Sequence, residues 1–214
     1  MDNTLAWAAV ATTGAVLAGY EITLAVAQRR RPEGLARSAH ARLRQQWFEA
    51  VSAQPGSEIL AVQTLRNSLM SASMTASAAA LGLMGTVTLA LPSLHSGLAG
   101  ALPGSTLRLV LGLALMALLL ASLVSSAMAV RDYHHVSFIS AMPVHSEARQ
   151  RWAGSGAAYV RRAGVLYSWG LRYLILVAPV LAALLHPLAG PVAALALVAV
   201  LTRFDRLAGP PPAA

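Results

Sequence analysis

Two ionisable residues lie inside apolar runs of this chain, where charged side chains are costly and usually have a function. Glu21 comes eight residues before Arg29, and Arg172 comes ten residues after Arg162. At helical rise each is roughly 12 to 15 Å along its helix from the nearest arginines, so the two can meet at a similar depth. Three interpretations follow: an ion pair that pins two helices together, snorkelling of either side chain toward the lipid headgroups, or a proton or ion pathway.

A second candidate group surrounds the end of a later apolar run. Asp132 and His135 are three residues apart and would share a helix face, which is the spacing of half a carboxylate and histidine metal site. Because the chain has only eight acidic residues, few remain for the other half, and we predict no metal site. His134, His135 and His145 are instead expected to contact loop carbonyls, lipid phosphates or one another.

The second apolar run is rich in small and hydroxyl-bearing residues. In a membrane bundle such residues allow close helix packing, and their hydroxyls bond across helices or back to their own backbone. The alternative is a polar helix that lines a water-filled path. The residues concerned are Asn67, Ser68, Ser71, Ser73, Thr75, Ser77, Gly82, Gly85, Thr86 and Thr88.

Motifs for catalysis and cofactor binding are missing from the sequence. It contains no nucleophile elbow, phosphate-binding glycine loop or zinc helix motif, and it has no Cys for disulfides or thiolate ligands. The glycines of Gly154-Ser155-Gly156 follow no strand and are interpreted as a linker. The arginines flank apolar runs and form no aromatic-interleaved face, which argues against nucleic-acid binding. We therefore expect a protein that is not an enzyme and has no cofactor.

Composition identifies the elements that position these residues. Hydrophobic residues make up 57% of the 214 and charged residues 11%, against about 25% charged in an ordinary soluble domain. Apolar runs of about 20 residues are long enough to cross a bilayer as helices. The first is interpreted as a retained span and not a signal peptide, because no basic segment precedes it. The predicted spans are about 5–27, 69–91, 107–130, 163–186 and 188–202, with Pro92 closing the second.

The last of these runs is short, roughly 15 residues or about 22 Å at helical rise. The sequence thus predicts an all-α bundle of five spans, with four spans plus a re-entrant C-terminal hairpin as the alternative. Seven arginines fall in 28–66, five in 131–162 and two after Thr202, whereas Arg108 alone falls on the other side. This asymmetry predicts an N-terminus outside and a C-terminus in the cytoplasm. All sixteen basic residues are Arg, a usage typical of a GC-rich bacterial genome, so the expected membrane is a bacterial inner membrane.

The first arginine-rich segment also carries a helical pattern. Apolar residues recur every four positions at Leu35, Ala39, Leu43, Trp47 and Val51, with arginines between them. This spacing predicts an amphipathic helix over about 35–53 that lies in the membrane interface. The whole of 1–208 is predicted to be one membrane domain, and the Pro-rich 209–214 a disordered tail.

Several short segments resemble the membrane family called domain of unknown function 599. They are Val62–Met70, Tyr20 with Glu21, Trp47, Tyr133–Phe138, Gly170–Tyr173 with Pro179, and Arg203–Asp205. Together they cover nearly the whole chain, and the first is the most distinctive. The resemblance implies a multi-pass bacterial or plant membrane protein and supplies no activity. Several of the matching segments are polar and lie at the predicted cytoplasmic ends of the second, third and fourth spans.

The predicted topology suggests a cytoplasmic polar cluster of Glu21, Arg66, Asn67, Asp132, His134, His135 and Arg172. Our leading hypothesis is a small homo-oligomeric bundle that passes or senses an ion or small solute, with this cluster as its entrance. The rival is a non-catalytic accessory or scaffold subunit of a membrane complex. An intramembrane enzyme or cofactor carrier comes third. Membrane lipids and a second copy of the chain are the expected partners.

Overall fold

A computed structural model of the chain describes residues 2–30, 36–98 and 103–205, and this part of the chain is all helical. The all-α prediction is confirmed there. The described helices are α1 Asn3–Arg30, α2 Ala36–Ala53, α3 Glu58–Leu98, α4 Pro103–Ala141, α5 Glu147–Leu185 and α6 Ala189–Asp205.

Four of the described helices are long and apolar enough to cross a membrane. They contain the apolar segments Asn3–Arg30, Glu58–Thr88, Thr106–Ala141 and Glu147–Leu185. The fifth predicted span corresponds to α6, which has 17 residues and therefore a length of about 25 Å at helical rise. That is short of the roughly 30 Å hydrocarbon core, so four crossings are supported by length and composition.

Helices α3, α4 and α5 have 41, 39 and 39 residues, about twice the length that a span requires. Much of what the sequence suggested as loop is therefore helix. Helix α3 continues through position 92 to Leu98, so the expectation that it closes at Pro92 is wrong. The linker interpretation of Gly154–Gly156 is also wrong, because α5 begins at Glu147. Ser146 caps this helix by accepting a hydrogen bond from the backbone N–H of Arg149 at 3.3 Å.

The chain divides into two compact units, and the boundaries fall within α3, α4 and α5. Unit 1 contains the described parts of 1–36, 79–121 and 172–214, and unit 2 contains 37–78 and 122–171. Each unit has its own buried apolar cluster. The cluster of unit 1 is built on leucines of α4 that recur every four residues, at Leu107, Leu111, Leu115 and Leu119.

Helix α2 packs into unit 2 through a face next to the predicted apolar stripe. Phe48 is 2% exposed and belongs to the core of this unit, whereas Leu43 of the stripe is 61% exposed. A Cβ at Gly156 of α5 would lie 2.8 Å from Cε1 of Phe48 and closer still to Cζ. The glycine thus makes room for the aromatic ring. The described part of α2 begins at Ala36. Leu35 of the predicted stripe and the predicted tail 209–214 lie outside the described residues.

Candidate functional site

Arg172 is the centre of a charged network in unit 1. Its side chain is 6% exposed, yet it carries a full charge and lies on α5 thirteen residues before the end of the helix. Its Nε donates to Oε1 of Glu21 on α1 at 2.5 Å, and its Nη1 donates to Oδ2 of Asp205 on α6 at 3.0 Å. Of the three interpretations that the sequence left open for Glu21 and Arg172, the structure shows the ion pair.

Tyr20 completes the network from the residue next to Glu21. Its hydroxyl donates to Oδ2 of Asp205 at 2.5 Å, so this oxygen accepts from both the phenol and the guanidinium. The ring of Tyr20 also lies against Arg172, whose Cζ is 5.2 Å from the ring centroid. A cation held over an aromatic face gains further stabilisation where water is excluded.

The packing of α6 brings Asp205 into this network. Helix α6 packs against α1, and Gly190 near its start lies next to both α1 and α5. A Cβ at Gly190 would lie 2.6 Å from Oγ1 of Thr13 and 2.8 Å from Cβ of Ala183. The glycine therefore permits the close approach of the three helices that carry the charged residues.

The network has two features that matter for chemistry. Its formal charge is minus one, because Arg172 is paired with two carboxylates that are 26% and 22% exposed. In addition, Nη2 of Arg172 is buried and has no acceptor among the described residues. An unsatisfied buried donor costs roughly 1 to 3 kcal/mol, and more when it is charged. A water or solute oxygen that accepts from Nη2 would therefore be held strongly.

A second ion pair lies in unit 2. Asp132 is fully buried, and both of its oxygens accept from Arg162, from Nε at 2.5 Å and from Nη2 at 2.6 Å. Tyr159 links this pair to His135, since its ring lies 5.4 Å from Cζ of Arg162 and its centroid 5.4 Å from that of His135. The Asp132 carboxylate, which the sequence offered as a metal ligand, is thus bound by the guanidinium of Arg162. Across 2–30, 36–98 and 103–205, no group of three or more His, Asp or Glu side chains is placed to hold a metal ion.

The seven residues of the predicted polar cluster are divided between the two units. Glu21 and Arg172 belong to unit 1, and the other five belong to unit 2. Of those five, Asp132 is buried, and the remaining four are exposed: Arg66, Asn67, His134 and His135. Joint action of all seven stays a prediction.

The hydroxyl groups of α3 bond mainly within their own helix. Thr75 donates to the carbonyl of Ser71 at 2.9 Å, and Thr86 donates to that of Gly82 at 2.7 Å. Thr64, Ser68, Ser71 and Thr88 follow the same pattern, each bonded to the carbonyl four residues earlier. The sequence left open whether these hydroxyls bond across helices or back to their own backbone. In the structure they bond back to their own backbone.

Three participants in these networks were not selected from the sequence as site residues. Asp205 and Tyr20 entered only through short segments of family resemblance, and Arg162 served only as a reference point for depth. A carboxylate just beyond the end of an apolar run, as Asp205 is three residues after Thr202, is a signal that could have identified it. Its partner, however, is 33 residues away and is fixed by helix packing.

Comparison with known proteins gives one match. The family model described as "Protein of unknown function, DUF599" matches residues 8–209, which is nearly the whole chain. No curated protein and no solved structure matches the chain. The match includes all four residues of the Arg172 network.

Proposed function

The chain belongs to the DUF599 family, and from that premise we propose that it passes an ion or a small polar solute through a membrane as a channel- or transporter-like bundle. Four helices long and apolar enough to span are compatible with such a protein. The proposal involves no catalysis, no cofactor and no nucleic acid. Its proposed location is a bacterial inner membrane. The arginine distribution favours an N-terminus outside and a C-terminus in the cytoplasm, which requires α6 to cross as a short fifth span.

The unsatisfied Nη2 of Arg172 is the observation that supports this proposal most strongly. Each buried donor of a guanidinium that is left unpaired lowers stability, so a water or solute oxygen that accepts from it is stabilised at that point. Arg172 already contacts two carboxylates and still has a donor available. Charged groups inside spans that face a bundle interior commonly mark substrate or ion pathways. We infer that a solute or ion exchanges contacts with Arg172, Glu21 and Asp205 as it passes.

Flux through liposomes tests the proposal. Purified protein is reconstituted, and the movement of protons, potassium and chloride is followed with trapped dyes, while small neutral solutes are followed by vesicle swelling. We expect at least one probe to move faster than in protein-free vesicles, and Arg172→Gln to reduce that rate tenfold or more. Arg172→Lys, which keeps the charge, is expected to retain part of it.

The matched control is Arg203→Gln, which removes the same charge from an exposed position two residues before Asp205. This variant is expected to retain the wild-type rate. Equal rates in wild type and a folded Arg172→Gln protein would contradict the proposal, as would the absence of movement for every probe.

A homo-oligomeric assembly is part of the same proposal. Helix α3 exposes a stripe of large apolar side chains, Met70, Met74, Leu81 and Met84, each more than half exposed. In a second copy of the chain this stripe would pack against another helix in place of lipid tails, and assembly would enlarge the interior of a small bundle. Native mass spectrometry of protein released from lipid nanodiscs tests this, and a strictly monomeric species would contradict it.

The same stripe also favours a second function, that of a non-catalytic accessory subunit of a membrane complex. In that case the stripe on α3 would contact a different membrane protein, and no probe would cross the liposomes. A protein that is monomeric alone, inactive in flux and recovered in a defined complex from native membranes would support this rival.

A further inference from the structure

Unit 2 contains two adjoining cavities that neither the ion pairs nor the proposed pathway uses. The first has a volume of about 210 Å³ and is lined by Arg44, Asn67, Ser68, Ser71, Tyr133 and Tyr167. The second has a volume of about 290 Å³ and shares Arg44, Ser68 and Tyr133 with the first. Together they form one polar and one apolar compartment, with Arg44 at the junction.

Arg44 is a half-buried cation that has no counter-charge in the described part of the chain. Among the described residues no carboxylate lies within 4 Å of its guanidinium. The side chain is fixed against α5, since a Cβ at Gly164 would lie 2.7 Å from Cδ of Arg44 and closer to Nη1. A guanidinium held in this way presents a planar set of donors that suits a phosphate or carboxylate.

The other residues of the polar compartment reinforce this preference. The amide of Asn67 and the hydroxyls of Tyr133 and Tyr167 are able to donate hydrogen bonds. Within 2–30, 36–98 and 103–205, no acidic residue lines either compartment. The compartment is therefore suited to an anion with several acceptor oxygens.

The second compartment provides an apolar extension of the anion site. Its further lining consists of Leu43, Trp47, Thr64, Leu65 and Val160, of which only Thr64 is polar. A simple inorganic anion would leave this space unused. An amphiphile with an anionic head and a hydrocarbon tail would occupy both compartments.

The position of the cavities along the sequence agrees with such a ligand. Asn67, Ser68 and Ser71 lie beside the start of the predicted span 69–91, Tyr133 follows the end of 107–130, and Tyr167 follows the start of 163–186. The apolar runs give way to arginine-rich segments at these points, which is the level of lipid headgroups.

We propose that unit 2 binds the phosphate group of an anionic lipid at Arg44, Asn67, Tyr133 and Tyr167, with part of an acyl chain lying along Leu43 and Trp47. All of these residues belong to unit 2. The site is independent of the proposed passage of solutes, which depends on residues of unit 1. Lipid binding and flux are therefore separate measurements.

Native mass spectrometry of the delipidated full-length protein tests this proposal with three probes: phosphatidylglycerol, phosphatidylcholine and inorganic phosphate. Phosphatidylglycerol is expected to bind in a one-to-one complex, at least tenfold more tightly than phosphatidylcholine. Inorganic phosphate is expected to bind more weakly, because it lacks the tail. If it competes at equal affinity, the ligand is a free phosphate and the lipid proposal is overturned.

Variants of Arg44 identify the site. Arg44→Gln is expected to weaken phosphatidylglycerol binding at least tenfold, and Arg44→Lys less, because lysine keeps the charge without the fork of donors. Arg161→Gln removes an equal charge from an exposed position of unit 2 and is expected to bind as wild type. Thermal unfolding without lipid verifies that each variant is folded. Equal binding by folded Arg44→Gln protein, or equal losses in the Arg44 and Arg161 variants, would overturn the proposal.

Discussion

At the scale of single residues, depth in a helix was the most informative property of the sequence. Counting from Arg29 and from Arg162 placed Glu21 and Arg172 at matching levels, and the structure joins them at 2.5 Å. The third and fourth members, Asp205 and Tyr20, could not be placed by counting. Their position depends on how α6 packs against α1, and no local pattern encodes the direction of that contact.

Neutralising Arg172 is expected to destabilise the protein. Arg172→Gln leaves the carboxylates of Glu21 and Asp205 mostly buried without their cation, at a cost of about 3 kcal/mol, the low end for breaking a buried pair. Thermal unfolding in detergent should then show a melting temperature lower by roughly 6 to 12 °C. Asp205→Asn keeps the Glu21 contact and should lose less. Arg203→Gln serves as the control, and an Arg172→Gln protein as stable as this control would refute the energetic role of the pair.

At the scale of elements, the sequence patterns predicted the wrong secondary structure at glycines. Gly154-Ser155-Gly156 has the composition of a linker, but the segment is part of α5. Helix formers on either side and the Ser146 cap outweigh the cost of about 1 kcal/mol for each glycine. At Gly156 and Gly164 that cost is offset by the packing of Phe48 and Arg44 from α2.

Two glycines of α5 allow a matched test of this packing. Gly156→Ala would force a Cβ into the ring of Phe48, and overpacking of this kind costs about 1 to 3 kcal/mol. Gly154→Ala meets no atom within 4 Å and should be neutral or stabilise the helix by up to about 1 kcal/mol. Chemical unfolding of both variants measures the difference. Equal stabilities would mean that α2 does not pack against α5 at Gly156.

The short helix α6 decides the number of crossings. If α5 and α6 both span, the turn at His186–Leu188 reaches the outer surface, whereas a re-entrant hairpin keeps this turn within the membrane. Since the chain has no Cys, Leu188→Cys gives a unique probe at a residue that is 46% exposed. We expect an impermeant thiol reagent to label it from outside, and to label exposed Gln150→Cys only from the cytoplasmic side. Labelling of both residues from one side would contradict the five-span topology.

At the scale of the whole molecule, composition was sufficient for the class and insufficient for the internal division. A membrane protein follows from 57% hydrophobic and 11% charged residues, because a soluble surface needs more charge. Apolar runs of about 20 residues add that its spans are helices. The division into two units could not be predicted, since its boundaries fall inside helices that have no break at those points. For the same reason the predicted cluster of seven polar residues was not resolved into two groups by the sequence.

The proposed pathway requires that the Arg172 network contacts water and the passing solute or ion. Glu21→Cys removes one carboxylate and introduces the only thiol of the chain. We predict that this variant has reduced flux in liposomes. An anionic, water-soluble methanethiosulfonate should restore much of the rate by returning a negative charge beside Arg172, and a cationic reagent of similar size should not. Failure of both reagents to modify the residue, or modification without any change in flux, would contradict the claim and leave the network as a sealed structural ion pair.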